Sequence, residues 1–73
     1  MEEPVFTFDT THHALWAEEV AGASGIPTEV VPAPAAARAR CDLALLCLPA
    51  DVERLAGALD GAGVPHRVHR SGA

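Results

Sequence analysis

The apolar positions of this chain follow two periods that alternate twice. Val5-Phe6-Thr7-Phe8 is a short run of aromatic and β-branched residues, the composition of a strand. Asp9-Thr10-Thr11 then supplies the side-chain oxygens that cap a helix start. From Thr11 to Ala23 the pattern is helical: Ala14, Ala17 and Ala21 recur at i, i+3 and i+7, and Trp16 and Val20 form an adjacent i, i+4 pair. Gly25 is placed to end that helix as a left-handed cap, and Pro27 prevents its return. Thr28-Glu29-Val30-Val31 predicts a second strand, short and charged as an edge strand should be. Leu43–Leu48 is apolar at both parities, which predicts a central strand covered on both faces. Pro49-Ala50-Asp51 opens a second helix, whose stripe is Val52, Leu55, Ala56, Leu59 and Ala62 and whose cap is Gly63. Val64–His69 is a fourth strand, which Pro65 confines to an edge, and Ser71-Gly72-Ala73 is a frayed tail.

An internal repeat organises these elements. Gly25-Ile26-Pro27-Thr28-Glu29-Val30 returns as Gly63-Val64-Pro65-His66-Arg67-Val68. The same shift lays Ala14 on Val52, Ala17 on Leu55, Ala21 on Leu59 and Val5–Phe8 on Leu43–Leu46. Residues 5–30 and 43–68 are therefore two βαβ halves, joined by the loop 32–41, within a single domain over residues 1–73. Two right-handed halves in series predict an α+β, ferredoxin-like βαββαβ fold. It has a four-stranded antiparallel sheet of order 4-1-3-2 with two helices on one face. Both proline- or charge-bearing strands then fall at the edges. The other sheet face is left open, exposing either Leu43/Leu45/Cys47 or Ala44/Leu46/Leu48 with Phe6/Phe8 or Val5 beside them. Such a stripe on a small domain predicts a homodimer.

Charge and cysteine content narrow the function classes. A net charge of −5 argues against a nucleic-acid partner, which wants a basic face. All the basic residues are arginines, and this bias with the abundant alanine fits a bacterial source. Met1 is followed by Glu-Glu-Pro rather than an apolar leader, and no stretch approaches the ~20 apolar residues of a membrane span. Two cysteines are too few for a disulfide scaffold. The expectation is a cytoplasmic protein with reduced thiols. There is no Cys-x-x-Cys or His-x-x-x-His spacing, no Gly-rich phosphate loop and no Gly-x-Ser-x-Gly elbow. No metal, no cofactor and no enzymatic activity are expected.

The candidate chemistry lies at the loop. Pro32 and Pro34 each lack the N–H a central strand needs, so Pro32–Arg40 is a surface connection leading into Cys41. Arg38 and Arg40 stand just ahead of that cysteine, and nearby cations favour the nucleophilic thiolate. Two readings stand for Cys41: a reachable reactive thiol, or a small apolar residue starting a strand. Cys47 reads as core. Six strand residues at ~3.3 Å each would hold the two cysteines about 20 Å apart, too far for a bridge. His12 lies in the first helical turn with Thr10 and Thr11. That turn is either a plain cap with a solvated histidine or, with Arg38 and Arg40 opposite, an anion site.

Phe8-Asp9-Thr10-Thr11-His12-His13-Ala14-Leu15, Ala17-Glu18, Gly25-Ile26, Pro32-Ala33-Pro34 and Cys41 together resemble the selenium/sulfur (Se/S) carrier protein-like family, a small bacterial family. Its pattern is Phe-x-Ser-Thr-His-x-Ala-Leu, a Gly-Ile turn, and Pro-x-Pro-Arg leading to Ser-x-Cys-Gly. Here Ala35 replaces the arginine after Pro-x-Pro, Arg38, Ala39 and Arg40 replace the serines, and Asp42 replaces the glycine. Members also occur fused to sulfur-relay domains. The resemblance implies a carrier whose Cys41 holds sulfur or selenium as a persulfide-type species, with donor and acceptor proteins as partners. The alternative, of a different class, is a non-enzymatic regulatory module. It would bind a small ligand or partner at an anion site of Thr10, Thr11, His12, Arg38 and Arg40.

Overall fold

The computed structural model describes the chain from Glu3 to Ser71. Its elements are β1 (Glu3–Thr7), α1 (Thr11–Ala23), β2 (Thr28–Pro32), β3 (Leu43–Cys47), α2 (Val52–Ala62) and β4 (Arg67–Ser71). Single 3-10 turns occupy Ala35–Ala37 and Pro49–Asp51. The strands form one antiparallel sheet of order β2-β3-β1-β4, the expected order read from its other edge. The fold is α+β and ferredoxin-like.

Register decides which side chains meet the helices. Val30 pairs with Leu45 and Leu45 with Phe6, a row that enters the core. Pro4 and Phe8 share their face, and Leu45 and Phe6 are fully buried. On that row α1 lays Ala14, Ala17 and Ala21, and α2 lays Val52, Leu55 and Leu59. The small face of α1 lets its backbone approach the sheet, and Trp16 and Val20 pack beside it. Glu29, Leu46, Val5 and His69 form one row of the opposite face, and Val31, Ala44, Thr7 and Arg67 form the next. The open-face set on β3 is therefore Ala44 and Leu46, but Ala44 and its neighbour Val5 are buried, so the exposed stripe expected there narrows to part of Leu46 and to Leu48, which is 59 % exposed just past the strand end.

The repeated Gly-Ile-Pro and Gly-Val-Pro turns have one physical cause. Ile26 N donates to Ala21 O at 2.9 Å and Val64 N to Leu59 O at 2.9 Å. Gly25 N donates to Gly22 O and Gly63 N to Asp60 O. Each helix thus ends in a Schellman motif, with glycine at φ 71° or 80° and the next apolar residue folded back into the core.

That motif also moves the fourth strand. The pattern predicts that Val64 starts it, but its N–H closes α2 and the residue is buried, and Pro65 has no N–H to give. Strand pairing begins at Arg67 and runs to Ser71, so Ser71 belongs to β4 rather than to a tail. Gly72 and Ala73 lie outside the described residues. The second helix differs at its start: Asp51 N donates to Leu48 O at 2.9 Å, so Pro49–Asp51 winds as 3-10 before α2 begins.

Antiparallel order sends the connections to two ends. The β1–α1 junction, the segment 33–42 and the turn between α2 and β4 share one end. The β3–α2 and α1–β2 connections share the other.

Candidate functional site

The segment between β2 and β3 is tied at both margins. Ala33 N donates to Asp42 O at 2.8 Å, adding a rung to the β2–β3 ladder. Cys41 N donates to Phe8 O at 3.2 Å, hooking the segment to the β1–α1 junction. Between these ties, Ala37 N and Arg38 N close a 3-10 turn on Pro34 O and Ala35 O. Arg38 then takes φ 51°, the left-handed region, as the one non-glycine there among the described residues.

These ties turn Cys41 inward. The residue is 4 % exposed, as in the second of its two sequence readings, the small apolar residue that leads into a strand, and not the reachable sulfur of the first. The cause is the Phe8 hook, which makes Cys41 part of the core cluster. The sulfur nevertheless has polar company. Leu43 N donates to Sγ at 3.3 Å. Thr11 Oγ1 lies 3.6 Å from Sγ, within hydrogen-bonding reach for sulfur. Thr11 is the first residue of α1, so Sγ sits beside a helix start. Thr10 caps that helix by accepting from His13 N at 3.1 Å. His12 is exposed, its ring 6.3 Å from that of His13.

Arg38 and Arg40 take a different direction. Both line an open cleft of about 310 Å³, with Thr7, Asp9, His66 and Arg67 across from them. Neither hydrogen-bonds Sγ. Among the described residues no carboxylate pairs with Arg38, Arg40 or Arg67. His66 donates from Nδ1 to Val64 O at 2.9 Å, because a carbonyl can only accept. Its ring stands 5.5 Å from that of Phe6, and its Nε2 lies 3.8 Å from Asp60 Oδ1.

The residues named from sequence are thus divided between two neighbouring features. Thr11 joins Cys41, Thr10 caps α1, His12 faces solvent, and Arg38 and Arg40 join the cleft. Thr7, His66 and Arg67 are cleft residues that the motif reading passes over. The signal for them lies in topology: order 4-1-3-2 brings the end of β1 and the start of β4 to the same end as the loop.

Cys47 lies towards the other end of β3. Burial pushes its thiol above the ordinary value near 9.0, the Asp51 carboxylate raises it further, and Arg70 pulls the other way. Both cysteines are free thiols. No group of three or more His, Cys, Asp or Glu among the described residues is arranged to hold a metal ion.

The family model described as "Putative Se/S carrier protein-like" matches residues 3–69. The chain belongs to this family. The match spans both βαβ halves and the Cys41 segment, so the Se/S carrier-like domain is the whole described fold rather than one motif on it. No curated protein and no solved structure matches the chain. No helix of this Se/S carrier-like chain is long and apolar enough to cross a membrane, among the described residues.

Proposed function

We propose that the protein carries sulfur or selenium on Cys41. The observation that supports this reading most is the polar setting of Sγ, with the Leu43 N–H and the Thr11 hydroxyl on it at the start of α1. A core cysteine needs no such partners. The family membership supplies the chemical class of the cargo.

In the forward step the Cys41 thiolate attacks the terminal sulfur of a donor persulfide. A new S–S bond forms at Sγ, the donor's S–S bond breaks, and the donor leaves as a thiolate. No net oxidation occurs, and delivery to an acceptor thiolate is the same exchange in reverse. Burial of Sγ keeps the carried atom from water and from stray thiols, and the segment 33–42 must shift for the exchange to occur. The partners are a donor and an acceptor protein in the cytoplasm of a bacterium, and the protein itself is no enzyme.

A second copy completes the assembly. The open-face row Glu29–Leu46–Val5–His69 runs from an acidic edge to a basic one. A two-fold axis parallel to the strands lays Glu29 over the partner's His69, and the reverse, with Leu46 over the partner's Val5 between them. An axis across the strands would instead oppose like charges.

Transfer from a cysteine desulfurase, with cysteine as the sulfur source, tests the carrier role. Wild-type protein should pass labelled sulfur on to an acceptor thiol, and a Cys41→Ser protein should not. A Cys41→Ser protein that still relays sulfur would contradict the reading. Sedimentation at micromolar concentration should give a dimer that Leu46→Arg dissociates, and a wild-type monomer there would remove the assembly from the account.

A further inference from the structure

Three of the five arginines in this acidic chain surround one cleft, and none of the three has a carboxylate partner among the described residues. Guanidinium groups held apart from carboxylates leave their forked N–H donors free for an anion from outside. Asp9 is the single acid of the cleft, so with His66 neutral the site keeps two net positive charges. Thr7, 4 % exposed, adds a hydroxyl-bearing residue to the lining. Pro65 and Ala37 give the walls an apolar part. The volume of about 310 Å³ stands at the lower bound of small-molecule sites.

We propose that this cleft binds a small dianionic tetrahedral oxyanion, either free or as the head of a compact ester. Arg38 and Arg40 reach it from the β2–β3 connection and Arg67 from β4, so two parts of the chain distant in sequence close on one ligand. The left-handed backbone at Arg38 presents that side chain from the end of the 3-10 turn, two residues before Arg40. This site is distinct from the Cys41 sulfur, which does not line the cleft, and the proposal stands whether or not Cys41 carries sulfur.

The test is an amide chemical-shift titration of the full chain at low constant ionic strength, where screening is weakest. Inorganic phosphate, sulfate and phenyl phosphate are the probes, and sodium chloride is the control. Saturable shifts at Phe8, Arg38–Arg40 and His66–Arg67 are expected with phosphate. Tighter binding of phenyl phosphate assigns the site to an ester, and equal binding assigns it to the free ion. Arg67→Thr should weaken binding about tenfold, the effect of one charge-assisted hydrogen bond. Arg38→Asn, chosen because asparagine tolerates the left-handed conformation, should do the same. Arg54→Gln, outside the cleft, should leave binding unchanged. Shifts that chloride reproduces, or that ignore both cleft substitutions, overturn the proposal, as does the lack of saturation at millimolar probe.

Discussion

Cys41 and Cys47 lie six residues apart on one run of chain, equally buried, yet in opposite chemical settings. At Cys41 the neighbours are hydrogen-bonding groups, the Leu43 N–H and the Thr11 hydroxyl. At Cys47 the strongest influences are the loss of water and the Asp51 carboxylate, both of which disfavour the thiolate. Burial alone therefore does not distinguish the two thiols, and their neighbours do. The difference comes from which end of the sheet each sulfur occupies. The Cys41 end gathers the start of α1 and the one long connection. The Cys47 end holds a tight 3-10 entry to α2, with Asp51 paired to Arg54 at 3.2 Å.

The largest expected effect is on sulfur loading. Cys41→Ala should abolish it and Cys47→Ala should spare it, as read by the labelled-sulfur relay. Equal losses in the two variants would erase the contrast. Next comes the hydroxyl at Sγ. Thr11→Val keeps the shape and removes one hydrogen-bonding group, so loading should slow about fivefold, for a bond worth ~1 kcal/mol. An unchanged rate would leave Thr11 as packing only.

How much of this contrast was legible beforehand follows from the range of each signal. Helix bounds and the Gly25 and Gly63 caps rest on local pattern, which the repeat shows twice, and the strand order follows from two right-handed halves in series. The start of β4 falls three residues later than the pattern predicts, because Val64 looks like a strand residue. Its N–H is consumed by Leu59 O, a bond fixed by the glycine before it. The motif points to Cys41, but its burial depends on the hook to Phe8, thirty-three residues away in sequence, which no local pattern encodes. Sequence proximity leaves Arg38 and Arg40 either beside the sulfur or opposite the start of α1. They face the cleft because the chain reverses at Arg38.

Smaller effects sharpen the comparison at the Cys47 end. Its thiol keeps its proton to higher pH when folded than when unfolded. Below about pH 9 both states are protonated and the group adds no slope. Above that the unfolded state loses the proton first, so stability should fall as pH rises. Denaturant midpoints from pH 8 to 10 should show this decline, and Cys47→Ala should flatten it. A slope that survives the substitution would place its source elsewhere. Gly25→Ala and Gly63→Ala should each cost about 1–2 kcal/mol, since alanine is strained at positive φ. Midpoints unchanged by both would remove the Schellman account. The smallest change is expected for Arg54→Gln, under about 1 kcal/mol, because Arg54 is well exposed and its pair with Asp51 is screened.

The central claim is that the two buried thiols differ in kind, and peptide-mapped mass spectrometry of the wild-type protein tests it most directly. After incubation with a cysteine desulfurase and cysteine, each cysteine-bearing peptide is examined for added sulfur. The account predicts one extra sulfur atom on Cys41 and none on Cys47. Sulfur on Cys47, or on neither residue while a control acceptor is loaded, would contradict it.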